Sequence, residues 1–140
     1  MKDFKLLSRE DFKKEVFARD GHKCVLCREP AVDAHHILDR KLFANGGYFL
    51  ENGSSLCSDC HLEAEKTTAT VEEIRDACGI KAHALPDGFD PSKTYDKWGN
   101  EISPNGSRIP GPLFWDDGAR KILTRAGILY SGVFEGLPST

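Results

Sequence analysis

Two Cys-x-x-Cys pairs, Cys24-Val25-Leu26-Cys27 and Cys57-Ser58-Asp59-Cys60, constrain this chain more than any other feature of its sequence. Each pair can bite one side of a metal ion, and together they supply the four thiolates of a closed tetrahedral zinc site. The stretch from Cys27 to Cys57 is longer than in a compact zinc ribbon, so a substantial insertion hangs from the site. That insertion contains the adjacent histidines His35 and His36. Four thiolates leave no open position for a substrate, and the cysteines therefore read as structural. Nothing around them resembles the βαβ context of a thioredoxin-type redox pair. Cys78 stands alone on an apolar helix face and reads as a small core residue.

The chain has 140 residues, the size of one ordinary domain in which a metal staple would supplement a modest core. No apolar run serves as a signal peptide or approaches the roughly 20 residues of a membrane span, so a soluble, cytoplasmic protein is expected. In that reducing setting five cysteines are metal ligands or thiols rather than disulfides. The formal charge of −3 speaks against a protein that grips nucleic acid over its whole surface. The acidity is local, however: residues 1–23 carry seven basic and five acidic side chains, and residues 51–78 two basic against seven acidic. A polyanion would lie along the N-terminal helix and the segment around Arg40 and Lys41, away from Glu63, Glu65, Glu72 and Glu73.

Ser8-Arg9-Glu10-Asp11 has the shape of a capping box, and Phe12, Val16 and Phe17 follow at helical spacing, which predicts a helix over residues 9–19 stopped by Gly21. A zinc knuckle then leads into a strand through Asp33-Ala34-His35-His36-Ile37. Turns at Asn45-Gly46-Gly47 and Asn52-Gly53 flank Tyr48-Phe49-Leu50, a possible second strand. Ser54 or Ser55 can cap a helix running through Lys66. Thr70-Val71-Glu72-Glu73 is a further capping box, opening a helix with Val71, Ile74 and Ala77 or Cys78 inward and Gly79 as its stop. Residues 1–79 read as the compact core, and residues 80–140 as an extension packed on it. Five prolines between residues 84 and 112 make much of that extension an irregular arm. Residues 116–126 form a short helix with Ile122 and Leu123 inward. The two tryptophans, Trp98 and Trp115, read as anchors that pack the arm onto the core.

His35, His36 and His61 gather near the cysteine framework. Adjacent side chains on a strand point to opposite faces, so His35 and His36 cannot both ligate one ion without distortion. One can bind a metal while the other deprotonates water, the combination that metal-assisted phosphodiester hydrolysis needs. Each also has a plainer reading: His35 as a core histidine or an extra zinc ligand, His61 as a cover for the zinc site, Asn52-Gly53 as an ordinary turn. Arg40 and Lys41 fit either phosphate contact or solvated surface, and His22 and His83 read as isolated surface or loop histidines.

Over about residues 12–66 the chain resembles the HNH, or ββα-metal, nuclease family. The resemblance rests on a helix, Cys24-x-x-Cys27, Asp33-Ala34-His35-His36-Ile37, Gly46-Gly47, Asn52, and Leu56-Cys57-x-x-Cys60-His61. It implies an α+β fold: a small ββα-metal (His-Me finger) core with a structural zinc knuckle, flanking helices and the irregular C-terminal arm. It also implies that His35 takes the first metal-ligand position, often Asp in the family, that His61 is the second ligand, and that His36 is the general base. Asn52 would be the middle residue of the family name, its amide tying the loop to backbone near the base; Asp33 would support the site from behind. The implied cofactors are structural Zn²⁺ and a catalytic Mg²⁺ or Mn²⁺, with Zn²⁺ or Ni²⁺ also suited to imidazole. The implied reaction is endonucleolytic hydrolysis of DNA, with RNA left open as the alternative substrate and a homodimer as one route to double-strand cleavage. Two readings compete with it: a non-catalytic zinc module that binds nucleic acid or protein through the same scaffold, and a metal-dependent hydrolase with another phosphoester substrate.

Overall fold

The computed structural model describes residues 4–129 and 133–134. Parts of both predicted units, residues 1–3 of the core and 130–132 and 135–140 of the extension, lie outside the described residues. The fold is α+β, with helices α1 (Arg9–Arg19), α2 (Ser58–Glu65), α3 (Val71–Cys78) and α4 (Asp117–Arg125). The strands β1 (Asp33–His36) and β2 (Gly53–Leu56) form one sheet, and β3 (Thr94–Tyr95), β4 (Glu101–Ile102) and β5 (Arg108–Ile109) another.

α1 begins where the sequence signals it: the Ser8 hydroxyl accepts from the Asp11 N–H at 3.1 Å, satisfying one of the free donors of the first turn. Its buried face is Phe12 and Val16, packed with Leu7 and the partly buried Ala34, Tyr48 and Leu50. The other end is tied to β2. Arg19 donates to the carbonyls of Leu50 and Gly53 at 2.8 and 2.7 Å, and the Asp20 carboxylate accepts from the Ser55 N–H at 2.9 Å. β1 and β2 run antiparallel, with His35 opposite Ser54 and His36 opposite Gly53.

The loop between these strands contains a 3-10 turn at Arg40–Leu42 and another at Leu50–Asn52. Tyr48-Phe49-Leu50 is therefore not a strand; the second strand comes later, at Gly53–Leu56. Ser54 and Ser55 correspondingly do not cap a helix. Both are fully buried in β2, where the Ser55 hydroxyl donates to the Val16 carbonyl at 3.2 Å, so tertiary pairing overrides their capping preference. α2 starts after them, capped by the Cys57 sulfur, which accepts from the Cys60 N–H at 3.4 Å. α3 has the predicted reciprocal capping box between Thr70 and Glu73 and ends at Gly79 in the left-handed region. It buries Val71, Ile74 and Arg75, while Ala77 is exposed.

The main core gathers Ile37, Leu38, Phe43, Phe49, Leu56, Ala64, Val71 and Ile74 around Cys24. The arm is more regular than its proline content suggests, since β3, β4 and β5 form an antiparallel meander of two-residue strands. Behind it Leu123 and Ala119 of α4 pack with Trp98, Phe114, Leu129 and Phe134, with Ile122 only half-buried. Trp98 is the anchor the sequence suggested, its indole N–H donating to the Glu65 carbonyl at 2.8 Å. Trp115 is 75% exposed, with its ring, among the described residues, only against the edge of Phe114 and under Arg120.

Candidate functional site

The knuckles converge at one end of β1 and β2. The four sulfurs of Cys24, Cys27, Cys57 and Cys60 all lie within 4.8 Å of one another, with Cys27 and Cys57 3.5 Å apart. A tetrahedral zinc site with Zn–S bonds of about 2.3 Å places its sulfurs about 3.8 Å apart, so this cluster can bind a structural zinc ion. Burial opposes the Cys24 thiolate, but backbone N–H groups of Cys57, Cys27 and Leu26 overcome it and bring the pKa down to about 7. Cys78 is outside the cluster; burial pushes its thiol up to about 12.

Beside the cluster is a cleft of about 390 Å³ whose floor is the His35 and His36 strand. His35 is 2% exposed, and neither of its ring nitrogens has a hydrogen-bond partner among the described residues. Its ring meets that of His61 edge to face, with centroids 5.0 Å apart. Burial holds the His35 pKa well below the usual histidine value, and the positive charge of Lys97 depresses it further. A buried imidazole without a partner is costly unless something accepts its lone pair or proton. His61, on the first turn of α2, meets a carboxylate on each side: Nδ1 lies 3.0 Å from Asp33 Oδ2, and Nε2 lies 3.0 Å from Glu65 Oε1. The hydrogen bond to Glu65 raises its pKa against the effect of burial, and Asp33 adds to the rise.

His36 points to the other face of β1, toward α1. Its ring stacks on Phe12 at 4.7 Å and meets the edge of Tyr48 at the same distance. Burial, then the charge of Lys97, lowers its pKa to about 4, while a hydrogen bond to the Gly46 backbone opposes the drop. Its Nε2 is buried and has no partner among the described residues. Behind it, Asn52 is 1% exposed and makes three bonds: Oδ1 accepts from Leu38 N–H at 3.0 Å, and Nδ2 donates to the carbonyls of Leu38 at 3.0 Å and Gly47 at 3.3 Å. Asn52 thus pins both ends of the loop that follows β1.

The structure brings His35, His36 and His61 into one cleft, with Asn52 behind it. Arg40 lines the cleft, but Lys41 turns away and pairs with Asp116 at 3.1 Å. His22 is exposed outside it, and His83 lies 3.3 Å from an Arg75 nitrogen. Among the cleft residues to which the sequence assigns no role are Glu65, Tyr48 and Lys97. Glu65 is one helical turn beyond His61, a spacing that could have flagged it. Tyr48 was read only as an apolar strand residue. Lys97 had no local signal at all: it reaches in from the arm, donating to the His36 carbonyl at 3.0 Å and to Asp39 Oδ1 at 3.3 Å.

No protein family, no curated protein and no solved structure matches this chain.

Proposed function

We propose that this chain is a metal-dependent endonuclease of the HNH class that hydrolyses phosphodiester bonds in DNA. One observation carries the reading: a buried His35 with both ring nitrogens unpartnered among the described residues faces His61 in a cleft that His36 also lines. A nitrogen donor left open next to a second histidine and two carboxylates fits a divalent cation. His35 and His61 would hold it, with Asp33 at His61 Nδ1 leaving Nε2 to the ion in place of its present contact with Glu65. Mg²⁺ or Mn²⁺ in that place, with Zn²⁺ or Ni²⁺ also suited to imidazole, would neutralise charge developing on the phosphate and the leaving oxygen.

The remaining chemistry belongs to the chain. His36 lines the cleft and would take a proton from the attacking water. Its lowered pKa keeps the imidazole unprotonated at neutral pH. Asn52 holds the loop that carries Gly46 and Gly47, and so the orientation of His36. The succession of β1, β2 and α2, with the cysteine cluster at its base, also supports the HNH reading.

The test is supercoiled plasmid incubated with Mg²⁺ or Mn²⁺, with and without chelator, beside His36→Ala. Nicked or linear product that needs metal and disappears in the variant is expected. Plasmid left equally intact by both proteins with every metal, and structured RNA likewise, would overturn the nuclease reading and leave the non-catalytic zinc module or a hydrolase of another phosphoester.

A further inference from the structure

The cleft has walls of opposite charge. On one side Asp33 and Glu65 flank His61, and the helices beyond expose Asp59, Glu63, Glu72 and Glu73. On the other side Arg9 and Lys13 of α1 line the cleft. The same two residues line a second hollow of about 520 Å³ on the outer side of α1, together with Glu10, Lys14, Phe17 and His22, three cations against one carboxylate. The two hollows therefore adjoin along α1.

Arg9, Lys13 and Lys14 are exposed, and none has a carboxylate partner among the described residues; the Lys13 ammonium lies 5.6 Å from the centre of the Phe17 ring. Arg9 and Lys13 are four residues apart, where like charges cost an isolated helix about 0.2–0.5 kcal/mol. They are about 6 Å apart along the axis. Between them in sequence, on the buried face, Phe12 stacks on the ring of His36. The cations thus sit on the same turn of helix that positions the proposed base.

We propose that the basic side of α1, formed by Arg9, Lys13 and Lys14, is the track for the sugar–phosphate backbone of duplex DNA next to the bond that is cut. The proposal rests on the nuclease reading. It explains how a chain of net charge −3 presents its cleft to a polyanion: the acidic wall repels the strand and α1 draws it, so the backbone leaves the cleft on one side only.

The experiment measures binding of a fluorescein-labelled duplex by anisotropy across about 50 to 200 mM NaCl. It uses full-length, zinc-loaded His36→Ala protein without added Mg²⁺ or Mn²⁺. Three variants are compared in that background: Arg9→Gln with Lys13→Gln, the charge-retaining exchange Arg9→Lys with Lys13→Arg, and Lys121→Gln with Arg125→Gln on α4. Each phosphate contact contributes about 0.9 to the slope of log affinity against log salt, so the first pair flattens the slope by about 1.8 and the other two leave it unchanged. Equal slopes for the α1 and α4 glutamine pairs overturn the track, as does a parent protein that binds no duplex at the lowest salt. A thermal melt checks folding of each variant; if the glutamine pair melts early, loss of slope in the charge-retaining exchange overturns the proposal instead. Plasmid cleavage is scored separately. Cleavage without a slope change sinks the track alone, and a slope change without cleavage under any metal sinks the nuclease reading alone.

Discussion

Lys97 Nζ donates to the backbone carbonyl of His36 at 3.0 Å, so a side chain from the C-terminal arm holds the end of the histidine strand. The same ammonium pairs with Asp39 at 3.3 Å, and its side chain is only 7% exposed. Burial lowers the Lys97 pKa, and Asp39 offsets part of that effect. Removing the cation with Lys97→Met strands a partly buried carboxylate and a carbonyl. A loss of about 3 kcal/mol of stability is expected, the low end for breaking one side of a buried pair. Urea denaturation checks it; a midpoint within error of the parent would show that the arm does not hold the site.

Asn52→Ala leaves Leu38 N–H, Leu38 C=O and Gly47 C=O without their partner in a site that water does not reach. Each stranded group costs about 1–3 kcal/mol, so a loss of about 3 kcal/mol or more is expected. Asn52→Asp is the sharper variant. At neutral pH its carboxylate would face two carbonyl oxygens, whereas the protonated acid can donate to one of them. The folded state then binds the proton more tightly than the unfolded state, so the variant's deficit shrinks as pH falls. A deficit that stays flat or grows on acidification contradicts the hydrogen-bond directions.

Asp116 caps α4, accepting from Ala119 N–H at 3.0 Å, and pairs with Lys41 across to the core. The Ala119 N–H holds its carboxyl below the ordinary 3.8, and Lys41 adds to the effect. With a depressed folded pKa, the stabilisation is complete above about pH 4 and is lost as pH falls through the folded value. Asp116→Ala should therefore cost about 1 kcal/mol at neutral pH, with the difference from the parent closing in acid. Paired thermal melts at neutral and acid pH measure this.

What could be read from the sequence follows from how local each signal is. The bounds of α1 and the capping box of α3 came from residues within a turn of each other, whereas Asp116, read as the first helical residue of α4, is its N-cap. The four thiolates were legible because each pair is a two-residue spacing with one chemical use. Ser54 and Ser55 misled because a capping residue and a buried strand residue look alike until their partners, His35 and Ala34, are known. The strands β3, β4 and β5 are too short for any period of two to show. Lys97 was invisible for the plainest reason: 61 residues separate it from the carbonyl it holds.

The cysteine cluster is mechanically coupled to the cleft, and metal removal should expose that. Cys57 caps α2, and His61 is on that helix's first turn, its amide donating to the Cys57 carbonyl at 2.9 Å. Cys24 is fully buried at the centre of the main core. Protein purified without chelator should carry one zinc per chain by elemental analysis. Stripping it should lower the melting temperature and loosen α2, because four thiols brought together without an ion have no bond to hold them. Cys60→Ser should act in the same direction, with weaker zinc retention. Its effect should reach His61, so plasmid nicking should fall in this variant even with Mg²⁺ in excess, and adding Zn²⁺ to the stripped parent should restore it. Full nicking by a zinc-free chain would show that α2 keeps His61 in place without the cluster.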